Sequence, residues 1–229
     1  MSHNEEEQLE EIKRFWQDYG TPILMAGVLV AAVALGWQYW QKNRMDQSTQ
    51  ASMAYQDLLT AAQKLQMNPT DTASNTELQS KGQKIMQDFS GSPVAINAGL
   101  ILAKRAVDTG DLKEAEKQLK WVLDQKPEEG VRIIATVRLA RVLSAKGDNN
   151  GALALLAKED ASAFAPTVQE ARADIYQAMG KSDDARKAYT AADAALKDRD
   201  QQRPLLEMKM ADAGVAPAPR DDKDQKAAN

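Results

Sequence analysis

The chain contains no cysteine and a single histidine, His3, in a polar tail. Without a thiol there is no thiolate nucleophile and no disulfide framework, and an imidazole far from any apolar run is poorly placed as a general base. The lack of cysteine is compatible with an oxidising compartment without requiring one. No glycine-rich loop follows a strand-like run to cradle phosphate, no paired histidines have zinc spacing, and no G-x-S-x-G elbow occurs. Neighbouring carboxylates such as Glu128 and Glu129, or Asp183 and Asp184, read as loop and cap residues. No residue is therefore assigned a catalytic, cofactor-binding or metal-binding role, and the expected chemistry is binding, not turnover. Lysines and arginines are nowhere gathered into a block with interleaved aromatics, so the electrostatic footprint of a nucleic-acid binder is missing. Aromatics make up 5% of the residues, and β-branched runs are scarce enough that no convincing strand emerges.

Against a background that is 27% charged, one run stands apart: Thr21 to Trp40, TPILMAGVLVAAVALGWQYW, without a charge. At about 1.5 Å per residue it matches the roughly 30 Å hydrocarbon core of a bilayer. A cleaved signal peptide would need a basic start and an apolar run of about 7 to 15 residues. Here the first twenty residues carry six acidic and two basic side chains, and bulky Trp37, Tyr39 and Trp40 continue directly after Ala34-Leu35-Gly36. A core helix apolar on every face over this length is too long for a domain of this size. Trp16 and Tyr19 before the run, and Trp37, Tyr39 and Trp40 at its far end, are the expected membrane-interface residues, since amphipathic rings prefer the headgroup zone. Leu9, Ile12, Phe15, Trp16 and Tyr19 recur at helical spacing and predict a short amphipathic helix ahead of the span. Gly27 and Ala31, and Ala32 and Gly36, are small residues four apart, suited either to close helix approach or to plain lipid contact.

Charge does not orient the span. Lys13 and Arg14 precede it and Lys42 and Arg44 follow it, which leaves the positive-inside rule tied. The first twenty residues sum to −4, the formal charge of the whole chain, so the remainder is formally neutral.

The expected organisation is an acidic tail with a short amphipathic helix over 1–20, a transmembrane helix over 21–40 and a polar connector over 41–50 that continues the helix out of the bilayer. A helical-repeat domain follows over 51–211, with a disordered tail over 212–229 that is small, charged and proline-bearing. The first soluble helix is expected over Ala51 to Gln66 and the next over Thr76 to Phe89, a degenerate hairpin bounded by Asn68-Pro69 and Gly91-Ser92-Pro93 and lying ahead of three recognisable repeats. Within the domain the helix breakers recur. Gly110-Asp111, Gly147-Asp148 and Gly180-Lys181 each open a polar stretch with alanine five positions after the glycine: Ala115, Ala152 and Ala185. The glycines lie 37 and 33 residues apart, bracketing the period of about 34 of tetratricopeptide-type hairpins. Glycine ends the first helix of a hairpin in a left-handed turn, Asp or Ser caps the second, and alanine lets the two pack closely. Pro127 closes the first copy, and Phe164 and Lys197 stand where that proline would recur. The fold class is all-α: one N-terminal transmembrane helix and a tetratricopeptide-like solenoid.

Stacked hairpins line one face with their first helices. The repeat register places Leu100 and Lys104, Val137 and Arg141, and Glu170 and Asp174 at equivalent positions on that face. They form the expected protein-binding groove, running from basic to acidic and suited to an extended peptide or a partner's helix.

The span ending Gly36-Trp37-Gln38-Tyr39-Trp40, the segment Gln50-Ala51-Ser52-Met53-Ala54-Tyr55-Gln56 and the worn repeats together resemble the YfgM family, the ancillary subunits of the bacterial SecYEG translocon. The similarity extends from about Glu6 to Met210, and the proline-bearing tail departs from it. The resemblance implies a single-pass protein of the bacterial inner membrane, N-terminus cytoplasmic and repeats periplasmic. It implies association with SecYEG and with the membrane-anchored periplasmic chaperone PpiD, passing exported polypeptides to periplasmic chaperones. The span itself would meet membrane lipid. The competing expectation is an anchored scaffold for another envelope machine, of the outer membrane, a pilus or the cell wall.

Overall fold

In the computed structural model, residues 3–159, 163–196 and 204–216 are described. They contain helices and turns and no strand. The chain divides into two units, the first ending at Met53 and the second starting at Ala54.

The described part of the first unit is helix, the opening stretch of α1 (His3–Met67). Among the described residues this helix alone is long and apolar enough to cross a membrane, and none of its apolar window is buried within the protein. Every described side chain from Leu24 to Trp40 is exposed, as is Trp16. Of the expected interface residues, Trp37 and Trp40 stack tilted, with ring centroids 5.2 Å apart. Tyr39 is exposed beside them, and the side chain of Tyr19 lies outside the described residues. The polar connector does not break the helix. Thr49 Oγ1 donates to the Met45 carbonyl and Ser52 Oγ to that of Ser48, both at 2.9 Å, so these hydroxyls are satisfied along the helix and do not compete with it. The separate soluble helix expected from Ala51 is therefore the end of α1.

The second unit starts within α1 and continues through α2 (Thr72–Asp88), α3 (Pro93–Asp108), α4 (Leu112–Asp124), α5 (Glu129–Ala145), α6 (Asn149–Leu156), α7 (Ala165–Ala178), α8 (Ser182–Ala194) and α9 (Pro204–Asp212). Local chemistry sets the starts. Asp71 accepts from the Ala73 and Ser74 amides, which begins α2 four residues ahead of the expected Thr76. Ser92 caps α3 ahead of Pro93, Asp111 accepts from the Glu114 amide, and Asp148 accepts from that of Gly151. The third hairpin has Lys181 at the cap position, with no side-chain cap.

The hairpin turns carry the expected glycines in the left-handed region, at φ +78° for Gly110, +91° for Gly147 and +71° for Gly180. A fourth, Gly214, adopts φ +72° after α9. The bonding is the same at all four. The glycine amide donates to the carbonyl three residues back, and the next amide donates to the carbonyl five residues before itself, as in Asp111 to Ala106 and Val215 to Met210. Gly214 lies 34 residues after Gly180, so α9 is the first helix of a further unit that the expected repeats did not contain. Ala213 and Val215 pack against α9's core cluster, carrying ordered chain past the expected boundary at 211, whereas 217–229 and Lys197 lie outside the described residues.

Four small cores follow one another along the array. The first joins α1 and α2 to α3, through Leu58, Leu65, Ile85 and Leu102. The second joins α3 and α4 to α5, through Ala103, Leu119, Val122 and Leu139. The third joins α5 and α6 to α7, through Ile133, Leu156, Val168 and Ile175, and the fourth joins α7 and α8 to α9. Each first helix thus buries one face on its own hairpin partner and another on the preceding unit, the nearest-neighbour logic of a solenoid. Ala115, Ala152 and Ala185 are wholly buried at the close crossings. Gly99 is needed at one of them, because a β-carbon there would lie 2.7 Å from Val122 Cγ2. Polar ties reinforce the stacking: Arg105 donates to Asn75 Oδ1 at 2.7 Å and to the Pro69 carbonyl at 3.1 Å, Arg132 pairs with buried Glu159, and Lys146 pairs with Glu116.

Candidate protein-binding face

Counting back from each hairpin glycine locates the expected groove. Leu100, Val137 and Glu170 stand ten residues before Gly110, Gly147 and Gly180, and Lys104, Arg141 and Asp174 stand six before. The two rows differ in environment. Lys104 and Arg141 are exposed and Asp174 is half-buried, so the second row does face outward. Leu100 packs against the second core, Val137 is buried in the third, and Glu170 is 2% exposed. The expectation that Val137 and Glu170 line an open groove is corrected: Val137 is buried in the core that joins α5 and α6 to α7, and Glu170 is covered where cations from α5 and α9 approach it.

The structure brings three of the six residues together. Arg141 on α5 donates to Asp174 Oδ2 on α7 at 3.1 Å and stands 3.8 Å from Glu170 Oε1. Lys209 on α9 donates to Glu170 Oε1 at 2.9 Å and to both Asp174 oxygens, at 2.9 and 2.8 Å. The Tyr189 hydroxyl on α8 donates to Asp174 Oδ1 at 2.9 Å. Leu100 and Lys104 lie outside this cluster, Lys104 pairing instead with Asp108 on its own helix at 2.6 Å.

Electrostatically the cluster closes on itself. Two carboxylates on successive turns of α7 meet two cations from different helices, so the face does not run from basic to acidic: its acidic end is neutralised from both sides. Charge-assisted bonds to a carboxylate this buried are stronger than surface pairs, and removing one partner is correspondingly costly. Burial first, then the hydrogen bond to Asp174, pushes the Tyr189 phenol far above its ordinary range. Tyr189 therefore serves as a donor and not as an acid.

Lys209 and Tyr189 were not expected at this face. Gly214, in phase with the earlier glycines, was the signal that marks α9 as a further first helix; nothing local marks Tyr189. Six residues before Gly214 stands Met208, exposed, with Leu205 exposed beside it, so the outward row turns from charged to apolar at α9.

Comparison with known proteins agrees with the repeat geometry. The family profile described as a tetratricopeptide repeat-like domain matches residues 13–215. A protein of Neisseria gonorrhoeae named as an ancillary SecYEG translocon subunit is 30% identical over 210 residues, covering 91% of this chain and 97% of that protein. Proteins of the same name from Escherichia coli and Haemophilus influenzae are each 27% identical. They cover 82% and 91% of this chain, and 86% and 97% of their own lengths. With a profile spanning the anchor and all the repeats, and relatives matched nearly end to end, the chain belongs to the YfgM family of tetratricopeptide repeat-like proteins.

Proposed function

We propose that this chain is a non-enzymatic accessory of the SecYEG translocon. Its apolar helix holds it in the bacterial inner membrane with a cytoplasmic N-terminus, and its repeats stand in the periplasm beside the channel exit. The observation that carries the reading is the near end-to-end match to proteins named as translocon subunits, anchor and repeats together. Tethering raises the effective concentration of the repeat face near emerging chains without any catalytic step. The partners in this reading are SecYEG, the anchored chaperone PpiD and exported polypeptides, with the outward row around Lys104 and Arg141 as the contact face.

The test is co-purification from detergent-solubilised membranes. SecYEG and PpiD are expected to accompany the chain, and Lys104→Glu is expected to weaken PpiD recovery. Lys104 is the better first substitution, because Arg141→Glu would also set a third carboxylate beside Glu170 and Asp174 and disturb the fold. Recovery of pilus, cell-wall or outer-membrane assembly proteins in place of the channel would overturn the reading. Orientation is read separately from cysteines introduced at Ser2 and Ser52, one at a time, into a chain that has none of its own. An impermeant maleimide added to the periplasmic side is expected to label only the second.

A further inference from the structure

The described end of the array is a trough floored by small side chains. Ala173 on α7 and Ala185, Ala188 and Ala192 on α8 are buried together with Tyr189, and Tyr176 and Leu196 pack against them partly buried. Into this trough α9 sets Leu206 and Met210, each 1% exposed. Between them on the same helical face, Lys209 reaches the carboxylates of Glu170 and Asp174. The wall thus receives a cation at that point. Glu170 is nearly inaccessible, and its other described cation, Arg141, stands 3.8 Å away against 2.9 Å for Lys209.

What fills the trough is slight. α9 is nine residues long, well below the length at which an isolated helix holds together in water. Among the described residues it packs on one neighbouring unit only, and an element held on one side opens at lower cost than one held on two. Earlier first helices differ: α5 is held between α4 on one side and α6 and α7 on the other.

We propose that this alanine-floored, acid-walled trough is a docking site for an amphipathic helix of a partner protein, and that α9 is its resident occupant, displaced when the partner binds. The residues that seat α9 define the chemistry of that helix. It carries a large unbranched or γ-branched apolar residue, a lysine three positions on, and a second such residue immediately after. The alanines accept the two apolar side chains, and the lysine replaces Lys209 against Glu170 and Asp174. A helix without the cation leaves a buried carboxylate short of its nearer counter-charge, which is how the site rejects other apolar helices.

The experiment uses the full chain in detergent and a fluorescent peptide with the sequence of residues 204–216. The peptide is titrated into the native chain and into a chain carrying Leu206→Asn and Met210→Asn, in which the resident helix no longer competes. Binding is expected to be at least about tenfold tighter to the double variant, and to be lost when the peptide carries Lys209→Glu. Hydrogen exchange on the native chain gives an independent reading: the α9 amides are expected to exchange by local opening, ahead of those of α7 and α8. Should the double variant fail to fold, exchange alone decides. The proposal is overturned if a folded double variant shows no saturable binding, if the Lys209→Glu peptide binds equally well, or if the α9 amides exchange only together with α7 and α8. A native-chain dimer dissolved by Lys209→Glu would also overturn it, by making a second copy the occupant.

Discussion

At the scale of single residues, the hairpin turns are where sequence and backbone meet most directly. Gly147 sits at φ +91°, where a side chain is strained, so Gly147→Ala is expected to cost about 1 kcal/mol by urea denaturation. Lys181 shares the backbone geometry of the capping residues Asp111 and Asp148 but supplies no cap. Lys181→Asn should therefore raise stability by about 1 kcal/mol, and a neutral or negative effect would count against the capping account. Tyr189 makes a pH prediction. Its phenol is held above the ordinary value of 10.0, chiefly by burial, so the folded chain binds that proton more tightly than the unfolded chain. The stabilisation is complete below about pH 10 and is lost as the pH rises beyond it. Between about pH 9 and 11, wild-type stability should fall more steeply than that of Tyr189→Phe; parallel curves would refute the linkage. The turns were legible because a glycine and its cap act within a few residues. The burial of Glu170 was not, since its nearest cation lies 39 residues further along the chain.

At the scale of elements, helices with one buried face were easier to read than helices with two. α4 shows a clean stripe, Ala115, Leu119 and Val122, because all three belong to a single core. α5 contributes Ala135, Leu139 and Val142 to one core and Ile133, Val137 and Ala140 to the next, so apolar residues occupy most of its circumference and the periodic signal fades. This is why Val137, assigned to an outward row, proves buried. Truncating a residue where three helices meet should be severe. Leu156→Ala, at a position with no exposure, is expected to cost about 2–5 kcal/mol in urea melts, whereas Lys117→Ala on the outer face of α4 should stay within about 0.5 kcal/mol.

At the scale of the whole molecule, an apolar anchor and a chain of small cores answer to different solvents. The uncharged run from Thr21 to Trp40 was recognisable by length alone, because a bilayer imposes a minimum that few soluble helices meet. Val30→Arg places a charge near the middle of that run and should disfavour insertion by about 2.5–3.5 kcal/mol, measured as increased release by alkaline carbonate extraction. Release indistinguishable from wild type would argue that Val30 does not sit at bilayer depth. The repeat domain was legible as a class from three glycines in phase, and the unit that α9 opens was missed because Gly214 is followed by Val215 and prolines where the earlier turns continue into a second helix. That turn nevertheless has the same geometry as its predecessors. It is thus a splice junction already formed in the protein. A segment such as Asp111 to Asp124, grafted after Gly214, would meet a correctly aimed backbone and lengthen the array by half a unit, making the protein a natural starting frame for engineered, extended binding surfaces.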